Sequence, residues 1–360
     1  MKLPAIERIL LVRLRQIGDV VFTTPAIRGI RELFPEAHLT YLVEPVAAAV
    51  VAMNPHLDEV IVASRPSGWL SELRLVRRLR SERFDLAIDF HGGPRASTLT
   101  WLSGARMRIG YQVIGRSWMY TQRVGRPRAL RRRHSVENQW DLLAPLGVGA
   151  ALPSTHPVEM PVNVNIDRAV AERLQAAGVG ETDCLIVIHV SAGNPFRRWP
   201  LESFAALAAG LTRVDARRRI LLTAGPAELA AVTTVIARTR AELLDHERAR
   251  VIECGDFSLT ELRSVVERAR LYIGGDSGPM HVAATSRVPI VGLYGPTLPE
   301  RSGPWRAGLA ARAVQVEGLS CRPCNQRVCE PGDFRCLTTI QPDEVIKVAE
   351  RSLAAGDNIS

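Results

Sequence analysis

The segment Gly274–His281, near the end of the chain, has residue types and spacing suited to binding a phosphorylated ligand. The apolar run before it predicts a buried strand, and its two leading glycines predict a tight turn. Pro279 suits the first turn of a helix. Backbone N–H groups around Ser277 to His281 would then project from the positive end of that helix, where phosphates bind.

Asp276 stands immediately before this helix start, where a carboxylate would repel a phosphate. A phosphate that carries a hydroxyl-rich group would still fit, because a carboxylate accepts hydrogen bonds from two hydroxyls. The segment therefore predicts a nucleotide-sugar site. An ordinary strand–turn–helix unit with incidental glycines is the structural alternative.

A second candidate for chemistry follows the first strand-like run, within Arg13–Ile27. Gly18 would allow a turn, and Asp19 would then stand at the carboxyl end of the strand. A carboxylate there could be the N-cap of a helix or a general base that faces a substrate. The segment alone leaves both interpretations open.

The elements that must position these residues alternate between strands and helices. In the first half, apolar runs predict four strands, and periodic apolar residues predict helices between them. The predicted strands are Ile9–Arg13, Leu39–Val43, Glu59–Val62 and Leu86–Phe90, and the predicted helices are Pro25–Leu33 and Trp69–Arg83.

The second half repeats this pattern, and Ser258 begins a capping box that predicts a helix to about Ala269. The predicted strands are Leu185–Val190, Arg219–Thr223, Arg250–Glu253, Leu271–Ile273 and Ile290–Leu293. Alternation in both halves predicts an α/β protein with two doubly wound parallel sheets, joined through the Pro-rich stretch Pro153–Pro161. Ligands of such sheets bind beyond the carboxyl ends of the strands, which favours a site in a cleft between the domains.

The composition limits the classes of function. The 360 residues are 46% hydrophobic, enough for two cores, and 46 Lys and Arg against 37 Asp and Glu give a net charge of +9. This excess suits an acidic substrate or an anionic membrane surface. Nucleic acid is disfavoured, since aromatic residues make up 5% of the chain and no nucleic-acid-binding signature occurs. No apolar run approaches the roughly 20 residues that span a bilayer, so we expect a cytoplasmic protein with at most peripheral membrane contact.

The motifs of the two halves together resemble glycosyltransferase family 9, the ADP-heptose:lipopolysaccharide heptosyltransferases and their relatives. Arg15–Val20 and Gly275–His281 carry the resemblance, which extends through Phe84–Gly92, Arg197–Phe204 and Gly292–Thr297. It implies the GT-B architecture, in which two Rossmann-like domains face each other across a cleft. Residues 1–160 would bind the acceptor, residues 161–341 would bind the nucleotide sugar, and a helix within 342–360 would cross back to the first domain.

The resemblance also implies roles for individual residues. Asp19 matches the catalytic base, which takes the proton of the acceptor hydroxyl in a single inverting displacement, and Gly18 adjoins it on the acceptor side. Asp276 matches the carboxylate that holds the donor sugar. Other donor-site positions are matched by Ser191, Arg197, Phe257, Ser277, Gly278, Pro279, Met280 and His281. Of these, Phe257 would pack on the nucleobase, and Arg197 replaces the lysine that is usual in the family.

The expected reaction requires no metal and no other cofactor. The chain contains no Asp-x-Asp pair, so backbone N–H groups and Arg197 would have to stabilise the leaving nucleoside diphosphate. ADP-heptose is the donor that the resemblance implies. The acceptor would be the anionic lipopolysaccharide inner core or a similar glycolipid at the cytoplasmic face of the inner membrane. Arg95 is the best acceptor-side candidate, although a role in surface solubility fits it nearly as well.

Four cysteines, Cys321, Cys324, Cys329 and Cys336, form a C-x2-C-x4-C-x6-C run. As thiolates they could hold a structural zinc ion. Reduced thiols or a redox-labile pair are the alternatives in a reducing compartment. Relatives commonly carry a similar run, and the resemblance leaves its role open.

Other classes of function compete with this one. A nicotinamide dehydrogenase would share the layout, but no G-x-G-x-x-G follows any strand. A non-catalytic nucleotide-sugar-binding module would keep the phosphate loop and could lose Asp19, which is present. A family member that uses a different donor sugar or acceptor is the remaining alternative, because pocket shape sets that choice.

Overall fold

The chain forms two compact units, Met1–Pro161 with Trp305–Ala307, and Val162–Pro304 with Gly308–Ser360. The computed structural model describes residues 6–64, 68–126, 132–190, 192–308 and 310–357. Each unit contains a six-stranded parallel sheet with connecting helices. The predicted α/β class with two Rossmann-like domains is therefore confirmed.

The first unit alternates strands and helices from its start. Its strands are β1 (Arg8–Val12), β2 (His38–Val43), β3 (Glu59–Val62), β4 (Leu86–Asp89), β5 (Met107–Tyr111) and β6 (Gln122–Val124). Its helices are α1 (Ile17–Val21), α2 (Thr24–Leu33), α3 (Pro45–Val51), α4 (Trp69–Ser81), α5 (Pro94–Leu102) and α6 (Ser135–Trp140). Two 3-10 turns, Ser117–Met119 and Asp141–Leu146, complete it.

The first sheet has the order β3-β2-β1-β4-β5-β6. The strand order reverses between β1 and β4, so the segments that follow these two strands diverge at their carboxyl ends. Residues Ile9 to Val12 of β1 are fully buried, as expected for a parallel strand covered on both faces. The sheet thereby fixes the positions of Asp19, which follows β1, and Asp89, which ends β4.

The second unit follows the same plan. Its strands are β7 (Cys184–His189), β8 (Arg218–Thr223), β9 (Val251–Ile252), β10 (Leu271–Gly275), β11 (Ile290–Tyr294) and β12 (Ala311–Gln315). Its helices are α7 (Val164–Ala176), α8 (Leu201–Val214), α9 (Leu229–Glu242), α10 (Asp245–Arg248), α11 (Leu259–Arg268), α12 (Gly278–Ala283), α13 (Pro299–Ser302), α14 (Arg335–Thr338) and α15 (Pro342–Asp357). The 3-10 turns are Pro195–Arg197 and Pro226–Glu228.

The second sheet has the order β12-β11-β10-β7-β8-β9, so its reversal point lies between β7 and β10. Arg197 follows β7, and Asp276 follows β10. The order of the strands thus brings two segments that are distant in sequence to the same edge of the sheet, where ligands of such sheets bind.

The predicted strands all occur, with ends that shift by a residue or two. The last helix, α15, packs on α8, β10, β11 and β12 of the second unit. Val345 and Ala349 are fully buried in the core of that unit, and their burial holds the helix against it. The crossing to the first domain that the resemblance implies for this helix stays a prediction. None of the helices in the described ranges is long and apolar enough to cross a membrane.

Candidate active site

The predicted strand–turn–helix at the end of β10 is present. β10 ends at Gly275, Ser277 is the extended N-cap of α12, and Pro279 lies in the first turn. Gly275 permits a close backbone approach, because a Cβ atom at this position would lie only 3.2 Å from the carbonyl oxygen of Arg197. The close approach of these two backbones holds the Arg197 segment against the start of α12.

Asp276 is a buried carboxylate at this edge with two cationic side chains beside it. Its side chain is 2% exposed, and its Oδ1 lies 3.3 Å from Nε2 of His281. Its Oδ2 lies 3.2 Å from Nη1 of Arg197. Burial alone would raise the pKa of Asp276, but the contacts with His281 and Arg197 outweigh it and lower the pKa to about 2. The carboxylate is therefore ionised at neutral pH and can accept hydrogen bonds from a ligand.

Arg197 joins the segments that follow β7 and β10. It ends a 3-10 turn whose N-cap is Asn194, which accepts a hydrogen bond from the N–H of Phe196. Its Nη1 also donates to the carbonyl oxygen of Asp276, at 3.1 Å. Its Nε donates to Oε1 of Gln326, at 2.7 Å. The side chain is 29% exposed, and Nη2 has no hydrogen-bond partner among the residues that the structure describes.

The other residues predicted at the start of α12 have different environments. Gly278 and Pro279 are half-buried at its first turn. The buried hydroxyl of Ser277 has no hydrogen-bond partner among the residues that the structure describes. Met280 is fully buried, and its sulfur accepts a hydrogen bond from the hydroxyl of Tyr294 at 3.8 Å, so its contacts are those of a core residue. Ser191 lies outside the described residues.

Phe257, predicted to pack on a nucleobase, lies just before α11 and is 8% exposed. The guanidinium carbon of Arg173 lies 4.2 Å from the centre of its ring. Arg173 also donates to the carbonyl oxygen of Asp256, at 2.6 Å. One face of the ring is therefore covered by a cation, and packing on a base remains a prediction for the other face.

In the first unit, Asp19 lies in α1, where it is the third residue rather than the N-cap. Gln16 is the N-cap, and its backbone N–H donates to Asp19 Oδ2 at 3.4 Å. The same oxygen lies 2.5 Å from Nη2 of Arg13. The carboxylate is 38% exposed and can meet a ligand. Gly18, predicted to allow a turn, is instead buried within α1.

Two residues near Asp19 were not predicted as site residues. Burial and the nearby Arg13 guanidinium lower the pKa of His91 to about 4, against the opposing effect of Asp19, so His91 is neutral at pH 7. Asp89 is fully buried and accepts hydrogen bonds from the N–H groups of His91 and Gly92, at 2.8 and 2.9 Å. Both lie in the Phe84–Gly92 motif, which is the only sequence signal that marks them.

Arg95, the acceptor-side candidate, makes structural contacts in α5. Its Nε donates to Glu72 at 3.0 Å, and its Nη1 donates to Glu44 at 3.1 Å. Its Nη2 donates to the carbonyl oxygen of Ser64 at 2.8 Å. These contacts connect the segments of α3, α4 and α5. Arg95 is therefore not a free side chain on the surface, as a role in solubility would require. Binding of the acceptor remains a prediction.

The four-cysteine segment contributes Gln326 to the site, although its thiols do not form a metal centre. All four cysteines are free, and no group of three or more His, Cys, Asp or Glu residues in the described part of the chain is arranged to hold a metal ion. Burial raises the pKa of the Cys336 thiol. The structure therefore does not support the suggestion of structural zinc, and nothing in the cysteine spacing marks Gln326 as a site residue.

Comparisons with known proteins identify the family of this chain. The model of glycosyltransferase family 9 (heptosyltransferase) matches residues 72–334. A lipopolysaccharide heptosyltransferase 3 of Escherichia coli is 26% identical over 289 residues, which cover 78% of this chain and 81% of that protein. The lipopolysaccharide heptosyltransferase 1 of Pseudomonas aeruginosa is 27% identical over 380 residues, which cover 98% and 99% of the two chains.

Solved structures give the same result. A glycosyl transferase family 9 protein from Veillonella parvula has a TM-score of 0.83 and 27% sequence identity, over 97% of this chain and 98% of its own. The two Rossmann-like units are those of the GT-B fold. Because the family model covers most of the sequence, from the middle of the first unit to the four-cysteine segment, the chain belongs to glycosyltransferase family 9 (heptosyltransferase).

Proposed function

We propose that this glycosyltransferase moves a heptose from ADP-heptose to the lipopolysaccharide inner core or a similar glycolipid. The proposal is supported by the relatives, which are named as lipopolysaccharide heptosyltransferases. The observation that carries it is the cluster of buried Asp276 and His281 with half-buried Arg197 at the carboxyl edge of the second sheet. The cluster pairs an ionised acceptor of hydroxyl groups with a cation suited to a diphosphate.

In this proposal, the second unit binds the donor. Nη2 of Arg197 and the backbone N–H groups at the start of α12 hold the diphosphate. Asp276 accepts hydrogen bonds from two hydroxyls of the sugar, and His281 holds the carboxylate in place. Phe257 packs on the nucleobase with the ring face that Arg173 does not cover. As the glycosidic bond breaks, negative charge grows on the leaving ADP, and Arg197 stabilises it without a metal ion.

Asp19 of the first unit acts as the general base. It accepts the proton of the acceptor hydroxyl while that oxygen attacks the anomeric carbon, and the displacement inverts the configuration. Neither a covalent intermediate nor a nucleophilic side chain is needed. The proposal is supported by the exposure of the carboxylate and by its fixed contact with Arg13, which orients one oxygen and leaves the other for the substrate.

The acceptor side follows from charge. A protein with a net charge of +9 attracts an acceptor that carries carboxylates and phosphates, and it also favours peripheral contact with an anionic membrane. The proposed location is therefore the cytoplasmic face of the inner membrane. Arg95 and Gly18 are the residues proposed on the acceptor side.

The substitution Asp19→Asn tests the proposal, because Asn keeps the shape of the side chain but cannot take up a proton at neutral pH. Turnover is expected to fall by roughly two to four powers of ten, while affinity for ADP-heptose changes little. Asp58→Asn is a matched control, since Asp58 is 40% exposed and also lies 2.5 Å from an arginine, Arg31. Transfer at the wild-type rate by the Asp19 variant would remove Asp19 from catalysis.

A further inference from the structure

Gln326, in the segment between the second and third cysteines of the four-cysteine run, touches the proposed donor site. Its side-chain oxygen accepts a hydrogen bond from Nε of Arg197 at 2.7 Å and a second one from Nδ2 of Asn194 at 2.8 Å. Asn194 is the N-cap of the turn that carries Arg197. One oxygen atom therefore holds both the guanidinium and the start of the turn from which it projects.

The backbone of Gln326 is itself held in a specific conformation. Its φ of 59° lies in the left-handed region, which residues other than glycine seldom adopt unless the surroundings impose it. Its N–H donates to Sγ of Cys324 at 3.2 Å. The N–H of Cys324 donates in turn, at 3.1 Å, to the carbonyl oxygen of Pro296, two residues after the end of β11. These contacts fix the segment to the same sheet edge that carries Asp276.

The geometry leaves Arg197 with one nitrogen for a ligand. Gln326 occupies Nε, and Asp276 occupies Nη1. Nη2 has no hydrogen-bond partner among the residues in the described ranges. Because the guanidinium is planar and rigid, contacts at two of its nitrogens determine where the third one points.

We propose that Gln326 is a positioning residue for the donor diphosphate, which it serves by orienting Arg197. This inference rests on the proposed donor site. It gives the four-cysteine segment a function that does not depend on a metal, since the segment presents the Gln326 side chain to Arg197. The amide suits this task better than a carboxylate, because a neutral acceptor orients the guanidinium without cancelling the charge that attracts the diphosphate.

Gln326→Leu removes the acceptor and keeps most of the side-chain volume. We expect it to weaken ADP binding about three- to tenfold, as for the loss of one hydrogen bond that helps to orient a cation. Gln326→Glu keeps the acceptor but adds a second carboxylate beside Arg197, so it is also expected to weaken ADP binding. Gln175→Leu, at an exposed position of α7, is the control and should bind ADP as the wild type does.

A double-mutant cycle with Arg197→Ala separates positioning from a general structural role. If Gln326 acts through Arg197, Gln326→Leu should change ADP affinity by less than about 1.5-fold when Arg197 is already alanine. Thermal unfolding of each variant shows whether it is folded. If Gln326→Leu is not folded, the ADP affinity of Gln326→Glu is measured instead.

Three results would decide against the inference. Wild-type ADP affinity in both Gln326 variants would overturn it, and so would a Gln326→Leu effect that persists at full size beside Arg197→Ala. In these cases the donor site stands, provided that Arg197→Ala alone weakens ADP binding. Unchanged ADP binding in Arg197→Ala alone would instead overturn the proposed donor site, and the inference with it.

Discussion

Replacing Asp276 by Asn tests whether this carboxylate binds the sugar of the donor or only supports the site. The substitution replaces one carboxylate oxygen with an NH2 group and keeps a side-chain oxygen that can accept from Arg197. It removes the negative charge that lies 3.2 Å from Arg197 and 3.3 Å from His281. ADP and ADP-heptose differ by the sugar alone, so the two ligands separate the roles of the carboxylate.

The expected magnitudes follow from the environment of Asp276. A hydrogen bond to an ionised acceptor is worth about 1.5–3 kcal/mol, so the variant should bind ADP-heptose about ten- to a hundredfold more weakly. Its affinity for ADP should stay the same or increase, because a negative charge near the diphosphate is gone.

The variant is also expected to be less stable without ligand. The pKa of Asp276 is lowered from 3.8 to about 2, and this difference corresponds to about 2 kcal/mol of folding free energy. Because the folded state favours the ionised form, this contribution is fully present above about pH 4. It is lost as the pH falls toward 2. The difference in stability between wild type and variant should therefore be constant from pH 7 to about pH 5.

Calorimetric titration with each ligand and urea unfolding measure these quantities. Asp183→Asn is a suitable control, because Asp183 is 12% exposed and lies 3.1 Å from Arg219 in the same unit. The control should lose stability and keep both affinities. Equal weakening of ADP and ADP-heptose by Asp276→Asn would refute the assignment of this carboxylate to the sugar.

Two further predictions concern metal and pH. Transfer should continue in excess EDTA, since in the proposed mechanism backbone N–H groups and Arg197 stabilise the leaving group. Activity that EDTA abolishes and magnesium restores would contradict this, and zinc content should be measured in parallel. Burial lowers the pKa of His189 from 6.5 to about 4, so the unfolded chain binds this proton at a higher pH than the folded protein does. The wild type should therefore lose about 2 kcal/mol of stability through this residue between pH 7 and pH 5. Urea unfolding at pH 7 and pH 5 should show that His189→Gln loses less unfolding free energy than the wild type does. His246→Gln, at an exposed position, is the control and should lose as much as the wild type. Equal losses in both variants would contradict the expectation.

The sequence predicts the sheets well where strands are buried on both faces. β1 and β10 are continuous apolar runs because a parallel strand in the middle of a sheet is covered by helices on each side. β6 and β12 lie at the edges of their sheets, and they were not predicted, because exposed residues such as Arg123 and Arg312 interrupt their apolar pattern. β5 lies inside its sheet and was also not predicted, whereas the edge strands β3 and β9 were predicted. Local pattern therefore identifies a strand by its run of apolar residues and not by its place in the sheet.

The site could be predicted only as far as its residues lie in contiguous motifs. Asp276 and His281 are five positions apart, and the helix between them brings the two side chains together. Gln326 is 129 positions from Arg197, and it reaches the site because β11 and the segment after it return to the same sheet edge. A local sequence pattern spans far fewer residues, so it could not predict the contact between Gln326 and Arg197. For the same reason, the buried environment that lowers the pKa of His91 could not be read from the Phe84–Gly92 motif.

The contacts of Arg197 give a physical reason for an arginine at the position where the family resemblance implies a lysine. A lysine ammonium is a point charge on a flexible stem, and it could not keep separate fixed contacts with Gln326 and Asp276 while presenting a third donor in a set direction. The planar guanidinium does so, with Nε on Gln326 and Nη1 on Asp276. Gln326 therefore suits an arginine at position 197, because its amide oxygen accepts from an Nε–H, a group that lysine lacks. On this reasoning, the departure from lysine keeps the charge at the diphosphate and adds a fixed orientation, and the four-cysteine segment supplies the acceptor that makes this orientation possible.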